Sequence, residues 1–239
     1  MEKNTEKIEL TGRAAAALVR NASVTEGMHL HGTYHIQHWK PKEGMREQFI
    51  AARDGALKMK DRAKWLQRLG LGVIAREVIA IADRRHQSAL ESLCYVADED
   101  SIINLVTTAG KNDALDKYLA GSAYTAAFYM GLVDGATAPT YAAADTMSSH
   151  AGWTENQNYT QTTRQAPSWS AASGAAKSTS TPVSFSINTN GQTLAGAFIT
   201  TSNTKGGTTG TLYSCGNFTG GNKTAGNGDT IQVSYTANA

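Results

Sequence analysis

Cysteine and long apolar segments are scarce in this chain, and each scarcity excludes a class of protein. Only 2 cysteines occur, Cys94 and Cys215, without Cys-x-x-Cys spacing, so we expect two free thiols rather than a disulfide framework. The longest apolar run, around Leu71–Ala82, is interrupted by Arg76 and Glu77 and is too short for a membrane span. The first residues, MEKNTEKIEL, lack the apolar region of a secretory signal, so we expect synthesis and folding in a cytoplasm.

Charged residues are scarce in one part of the chain only. Residues 1–100 hold 16 of the 22 Lys and Arg and 14 of the 20 Asp and Glu. From about residue 101 the chain is rich in Thr, Ser, Ala, Gly and Asn, and apolar residues alternate with small polar ones, which predicts short antiparallel strands. This part has few groups that move protons, bind metal or attack a substrate. We therefore expect a binding or structural protein without a cofactor, and not an enzyme.

The pattern divides the chain into four segments. We predict an N-terminal arm at 1–27 whose order depends on a partner, a first strand at 28–44, a helical hairpin at 45–100 and a β-sandwich domain at 101–239. In the first strand, His29, His31, Thr33, His35 and Gln37 alternate with Leu30, Tyr34, Ile36 and His38 on the other face, and Gly32 is a candidate bulge. The fold class is α+β, with an immunoglobulin-like or related antiparallel sandwich.

Apolar residues between Met45 and Val96 recur at helical spacing. Gly70 and Gly72 are natural helix stops, so we predict either two helices joined there or one helix broken at that point. The acidic run at 98–100 is interpreted as a linker. After it we predict a short helix at 110–119 and about seven strands, at 102–107, 124–133, 159–165, 182–187, 193–201, 211–218 and 230–236.

Several longer segments are similar to a known family when taken together. They are LVTTAGKNDALDKYLAGSAYTAAFYMGL at 105–132, ADTMSSHAGWTE at 144–155, YTQTTRQAPSWSA at 159–171, TTSNTKGGTTGTLYSCGNFTGG at 200–221 and GDTIQVSYT at 228–236. As a set they resemble a family of virion structural proteins of tailed bacteriophages, of the decoration or fibre-like type. In that family a strand such as GTYHIQHW, at 32–39, continues after a short turn into the segment INLVTTAG. The helical stretch at 45–100 therefore resembles an insertion.

Three motifs suggest chemistry but favour a simpler interpretation. His29, His31 and His35 share a strand face, yet no cysteine or carboxylate nearby in sequence completes a metal shell, so no metal is expected. Ser149 and His150 are adjacent but lack a third catalytic group, and we expect His150 to form loop hydrogen bonds. The run KGGTTG at 205–210 lacks the order of a phosphate-binding loop and is interpreted as a hairpin loop that needs positive φ.

The helical segment carries most of the basic side chains. Between Lys40 and Arg85 there are 12 Lys and Arg against 6 Asp and Glu. The acids are interleaved, so nucleic-acid binding is disfavoured, and binding to an acidic protein surface is favoured. The candidate interface residues are Arg53, Lys58, Lys60, Arg62, Lys64, Trp65, Arg68, Arg84 and Arg85.

The resemblance implies a non-enzymatic virion component, assembled in the host cytoplasm, that acts in repeated copies and forms a homo-oligomer. We expect a capsid decoration or head-vertex protein that binds the major capsid protein, or portal and neck proteins, through its arm and helices. A neck, collar or tail component is an alternative. A second alternative is a tail-fibre-like module that binds a receptor or glycan through exposed aromatic residues, with Tyr141, Trp153, Tyr159 and Trp169 as candidates.

Overall fold

Two antiparallel sheets and a helical hairpin make up the fold. The computed structural model describes residues 30–119 and 127–238, so the predicted arm at 1–27 and His29 lie outside the described residues. The elements are β1 (His31–Pro41), α1 (Arg46–Arg68), α2 (Gly72–Leu93), β2 (Cys94–Ile103), β3 (Leu105–Val106), α3 (Thr108–Leu119), β4 (Tyr129–Asp134), β5 (Glu155–Asn156), β6 (Ala176–Ser178), β7 (Val183–Ser186), β8 (Gln192–Thr200), β9 (Leu212–Asn217), β10 (Lys223–Ala225) and β11 (Thr230–Asn238). The predicted class, α+β with a β-sandwich and a helical hairpin, is confirmed.

Each sheet draws strands from distant parts of the chain. The first sheet has the order β2-β1-β11-β6, and β7 also pairs with β11. The second has the order β3-β9-β8-β4-β5, and β10 pairs with β8. β1 is therefore an inner strand of the first sheet, between β2 and β11, the last strand of the chain. The helical hairpin connects β1 to β2.

Alternating apolar residues form the core between the sheets. Tyr34 and Ile36 of β1 are buried, whereas His31 and His35 on the other face are exposed, as the alternation predicts. Phe185 and Tyr235, from β7 and β11, are buried in the same core. Burying one such side chain contributes about 1.5–3 kcal/mol, so this interface dominates the stability of the sandwich.

The prediction of a bulge at Gly32 is wrong. The register of β1 against β2 shifts between His38 and Trp39, not at Gly32. Gly32 is needed for a different reason, because a Cβ at this position would overlap the ring of Tyr235. The hydroxyl of Tyr235 accepts a hydrogen bond from Asn104 Nδ2 at 3.0 Å, which holds the ring in this place.

Two further predictions about secondary structure are wrong. The acidic run at 98–100 is not a linker but part of β2, where Asp100 pairs in register with Ile36 of β1. No strand occupies 159–165, where Tyr159 and Gln165 make only isolated bridges. This segment is held by side-chain hydrogen bonds, such as those of Gln161 to Ser184 and Ser186, and not by a continuous ladder of backbone hydrogen bonds.

Small residues line the interface between the two long helices. Ala56 and Ala63 of α1 and Ala75, Ala82 and Ala89 of α2 are buried and recur every seven residues. A seam without long side chains lets two antiparallel helices approach closely. The chain reverses at Gly70, whose φ of 78° is in the left-handed region. Of the two predicted arrangements, the structure has the two-helix hairpin.

Candidate interaction surface on the helical hairpin

The base of the hairpin is anchored on the sandwich. Phe49 of α1 and Leu90 of α2 are fully buried in a small apolar cluster with Cys94, the first residue of β2. The guanidinium of Arg53, which is 5% exposed, donates to the carbonyl oxygen of Ile187 at 3.4 Å. Gln232 of β11 donates to Gln87 of α2 at 3.1 Å. The hairpin is thus fixed to the first sheet at its base.

Large apolar side chains lie on the outside of the hairpin tip. We call this set the tip patch; its members and their exposed fractions are Trp65 59%, Leu69 55%, Leu71 43%, Val73 67% and Ile74 51%. Trp65 follows the buried Ala56 by nine residues, which places it half a turn out of phase with the alanine seam. Alanines therefore fill the inside of the hairpin, and bulky apolar residues face solvent. Large apolar side chains that remain exposed at the end of a hairpin mark a candidate interaction site.

Basic side chains border the tip patch. Lys58, Arg62, Lys64 and Arg68 are all exposed on α1. Lys58 and Arg62 share a face with Trp65 because the spacing is four and then three residues. Lys64 forms an exposed ion pair with Asp61 at 3.1 Å.

The other predicted interface residues are buried, paired between the two helices, or carried by α2. Arg53 is buried against the sandwich and so cannot contact a separate partner, which separates it from the rest of the set. Lys60 forms an ion pair with Asp83 at 2.6 Å that joins the two helices. Arg84 and Arg85 are exposed on α2, and a guanidinium nitrogen of Arg85 lies 3.6 Å from the sulfur of Met59. The structure thus brings Lys58, Arg62, Lys64, Trp65 and Arg68 together at or near the tip.

The histidines of β1 lie on opposite faces of the strand. His31 and His35 are exposed, whereas His38 is 3% exposed and its Nε2 lies 3.0 Å from Asp229 Oδ2. Within residues 30–119 and 127–238, no group of three or more His, Cys, Asp or Glu side chains is placed to hold a metal ion.

His150 makes loop contacts rather than a contact with Ser149. Its Nδ1 lies 3.0 Å from the carbonyl oxygen of Trp153, and its ring stacks on the indole with centroids 4.0 Å apart. The backbone N–H of Ser149 donates to Thr146 Oγ1 at 3.1 Å. Both residues therefore belong to one structural turn.

The loop at 201–211 between β8 and β9 packs against a buried ion pair, Arg164 with Glu155, that the sequence did not predict. Arg164 is 2% exposed and forms two bonds to Glu155, from Nε to Oε1 at 3.0 Å and from Nη2 to Oε2 at 2.8 Å. Arg164 also donates to the carbonyl oxygens of Ser202 and Gly207. Gly206, with φ of 71°, donates its N–H to Glu155 at 2.7 Å, so positive φ does occur in this loop. A lone Arg among threonines was the signal available in the sequence.

The candidate sugar-stacking aromatics are largely internal. Trp153 is 4% exposed and Tyr159 is 1% exposed. Trp169 packs edge-on against Tyr235 at 6.2 Å, and Tyr141 donates its hydroxyl to Asn217 at 2.7 Å. None of the four forms an exposed platform on the sandwich.

Both cysteines are free, as predicted, and the structure shows that both are buried. Burial raises the pKa of Cys94 to about 11 and that of Cys215 to about 12, so both thiols are protonated at neutral pH. These thiols pack as apolar groups and supply no reactive site.

Comparison with protein-family models, curated proteins and solved structures finds no match to this chain. No helix in the described part of the chain combines the length and apolar character that crossing a bilayer requires.

Proposed function

We propose that this chain is a non-enzymatic structural protein of a tailed-bacteriophage virion, a capsid decoration or head-vertex component, and that the hairpin tip is its docking element. The observation that carries the proposal is the tip patch. Five large apolar side chains are exposed between residues 65 and 74, whereas the other exposed large apolar residues of the described chain, Tyr95, Ile103 and Leu115, are widely spaced. An isolated soluble domain gains nothing from this arrangement, whereas a partner that covers the patch does.

The expected partner surface is apolar with an acidic rim. Lys58, Arg62 and Arg68 border the patch without a carboxylate partner among the described residues. Two tips in contact would bring these cations together, which disfavours pairing of tips from two copies. A capsid or portal surface with exposed carboxylates satisfies both the apolar and the charged groups.

A rebinding experiment with purified particles tests the docking element. Particles that lack this protein are mixed with recombinant chain, and bound protein is quantified after sedimentation. We expect the double variant Trp65→Ser, Leu69→Ser to bind at least about tenfold more weakly, because large apolar anchors dominate interfaces. Both side chains are exposed in the free protein, so the variant should fold normally.

Ile103→Ser is the matched control. Ile103 is 81% exposed and pairs with Thr33 at the end of β1 remote from the hairpin. This variant removes an exposed apolar side chain without touching the tip, so binding should be unchanged. Equal binding by both variants and the native chain would refute the role of the tip, and no binding by any of them would refute the virion assignment.

The alternative position, in a neck, collar or tail, uses the same docking element and differs in copy number. A receptor- or glycan-binding module is less favoured because Trp153 and Tyr159 are buried. Exposed and clustered aromatic residues at the loop tips would have favoured that alternative.

A further inference from the structure

A cleft of about 580 Å³ lies between the hairpin and the outer face of the first sheet. Its volume is within the range of about 300–1,000 Å³ that is typical of small-molecule sites. The hairpin supplies one wall and β7, β11 and the segment 161–168 supply the other. None of the residues that line the cleft belongs to the tip patch, so the cleft is distinct from the proposed docking element.

The two walls differ in charge. On the hairpin side, Arg53, Lys60 and Arg84 line the cleft together with one carboxylate, Asp83. Lys60 is paired with Asp83 and Arg53 with Asp54, which leaves Arg84 without a carboxylate partner among the described residues. On the sandwich side the described lining has no charged residue, and its polar side chains are glutamines, serines and a threonine.

Two buried polar atoms of lining residues have no hydrogen-bond partner among the described residues. They are Nε2 of His86 on α2 and Oγ of Ser186 on β7. Leaving such atoms unsatisfied costs about 1–3 kcal/mol each, so a native structure retains them for a reason. Nearby, the amide of Gln161 is fixed by bonds to the backbone of Ser184 and Ser186, which makes this wall rigid.

We infer that the cleft binds a small sugar acid, a ligand with one carboxylate and several hydroxyl groups. The carboxylate would face Arg84 and Lys60 on the hairpin, and the hydroxyl groups would face Ser186, His86 and the glutamines. Among the described lining residues the imidazole of His86 is the only aromatic ring, and it already stacks on Phe49, so the cleft offers little surface for stacking a nucleobase.

The protonation of His86 supplies a direct readout of binding. Burial, with the nearby positive charge of Lys60 and then Arg53, lowers the pKa of His86 to about 4, and Asp83 opposes the shift. A bound carboxylate would add negative charge close to the ring and raise this pKa. A shift of the His86 imidazole titration on ligand addition is therefore expected, and it can be followed by NMR.

Calorimetric titration with glucuronate, glucose and inorganic phosphate tests the inference. We expect glucuronate to bind at least about tenfold more tightly than either of the other two, because only it has both a carboxylate and hydroxyl groups. No binding of glucuronate, or equal binding of glucose or phosphate, would overturn the assignment. The Trp65→Ser, Leu69→Ser variant should bind glucuronate normally, which separates this site from the docking element.

Two variants distinguish a ligand site from a structural cavity. Ser186→Ala removes a hydroxyl that has no partner, so it should leave stability unchanged or raise it, yet weaken glucuronate binding by about tenfold. Arg84→Gln changes an exposed residue and should also weaken binding by about tenfold, whereas Arg68→Gln at the tip, the matched control, should not. Unchanged binding in Ser186→Ala and Arg84→Gln would refute the site.

Discussion

The buried ion pair between Arg164 and Glu155 gives the most quantitative prediction. In Glu155→Gln the new amide cannot accept both guanidinium bonds, and its NH₂ group would face a donor on Arg164 or on Gly206. The guanidinium, 2% exposed, would keep at most one bond to residue 155 beside its bonds to two carbonyl oxygens, and it would lose its counterion. Leaving a buried charge without its counterion costs about 3–5 kcal/mol, and we expect a loss of that size in the free energy of unfolding.

Urea denaturation at pH 7 measures this loss. The control is Asp61→Asn, which removes an ion pair whose side chains are 73% and 60% exposed and which should change stability by less than about 0.5 kcal/mol. In a double-mutant cycle with Arg164→Met, the double variant should lose less than the sum of the single losses, by about 1–3 kcal/mol. A loss below about 1 kcal/mol in Glu155→Gln, or strict additivity, would refute the reasoning.

Three further predictions concern stability. Gly32→Ala should lose several kcal/mol in chemical denaturation because its Cβ overlaps the ring of Tyr235, and a loss within error would contradict the packing. Burial raises the pKa of Asp100, but bonds from a threonine, Lys223 and two backbone N–H groups outweigh it and lower the pKa to about 2. The ionised Asp100 therefore contributes about 2 kcal/mol to the free energy of unfolding above its ordinary pKa of about 4, and this contribution is lost as the pH falls through 2. Asp100→Asn should lack this contribution at pH 7. Equal stability of the variant and the native chain would contradict the prediction. His86 has a pKa of about 4 in the folded chain, below its ordinary 6.5, so the native chain should lose about 3 kcal/mol of stability as the pH falls from 6.5 to 4. His86→Gln should not show this loss. Parallel profiles of stability against pH for the two chains would contradict the prediction.

Periodicity in the sequence was sufficient to predict the hairpin and most strands of the sandwich. The alternation at 183–187 and 231–235 follows directly from burial of every second side chain. The strand β2 was missed because Asp98, Glu99 and Asp100 do not resemble strand residues. They are accommodated because Lys223 pairs with Asp98 at 2.8 Å and with Asp100 at 3.0 Å, from 123 or more residues away in sequence.

The candidate site was predictable only in part. The basic residues of α1 are visible as a local cluster, and four of them, Lys58, Arg62, Lys64 and Arg68, are exposed near the tip. In the hairpin, alanines are buried and large apolar residues are exposed. The spacing of apolar residues could not predict this, because it favours burial of Trp65 and not of alanine. The partner helix determines which face of a helix is covered. Two helices that approach closely along alanines bury these small residues and leave the larger apolar residues outside. The cleft depends on contacts between segments more than 100 residues apart and leaves no local pattern.

Cryo-electron microscopy of purified virions would test the central claim most directly. The account predicts density for this chain on the particle, with Trp65 and Leu69 of the hairpin tip buried against a neighbouring virion protein. Copies over the icosahedral shell would identify a decoration protein, and copies at one vertex would identify a head-vertex, neck or tail component. A particle without this chain, or with the tip facing solvent, would contradict the account.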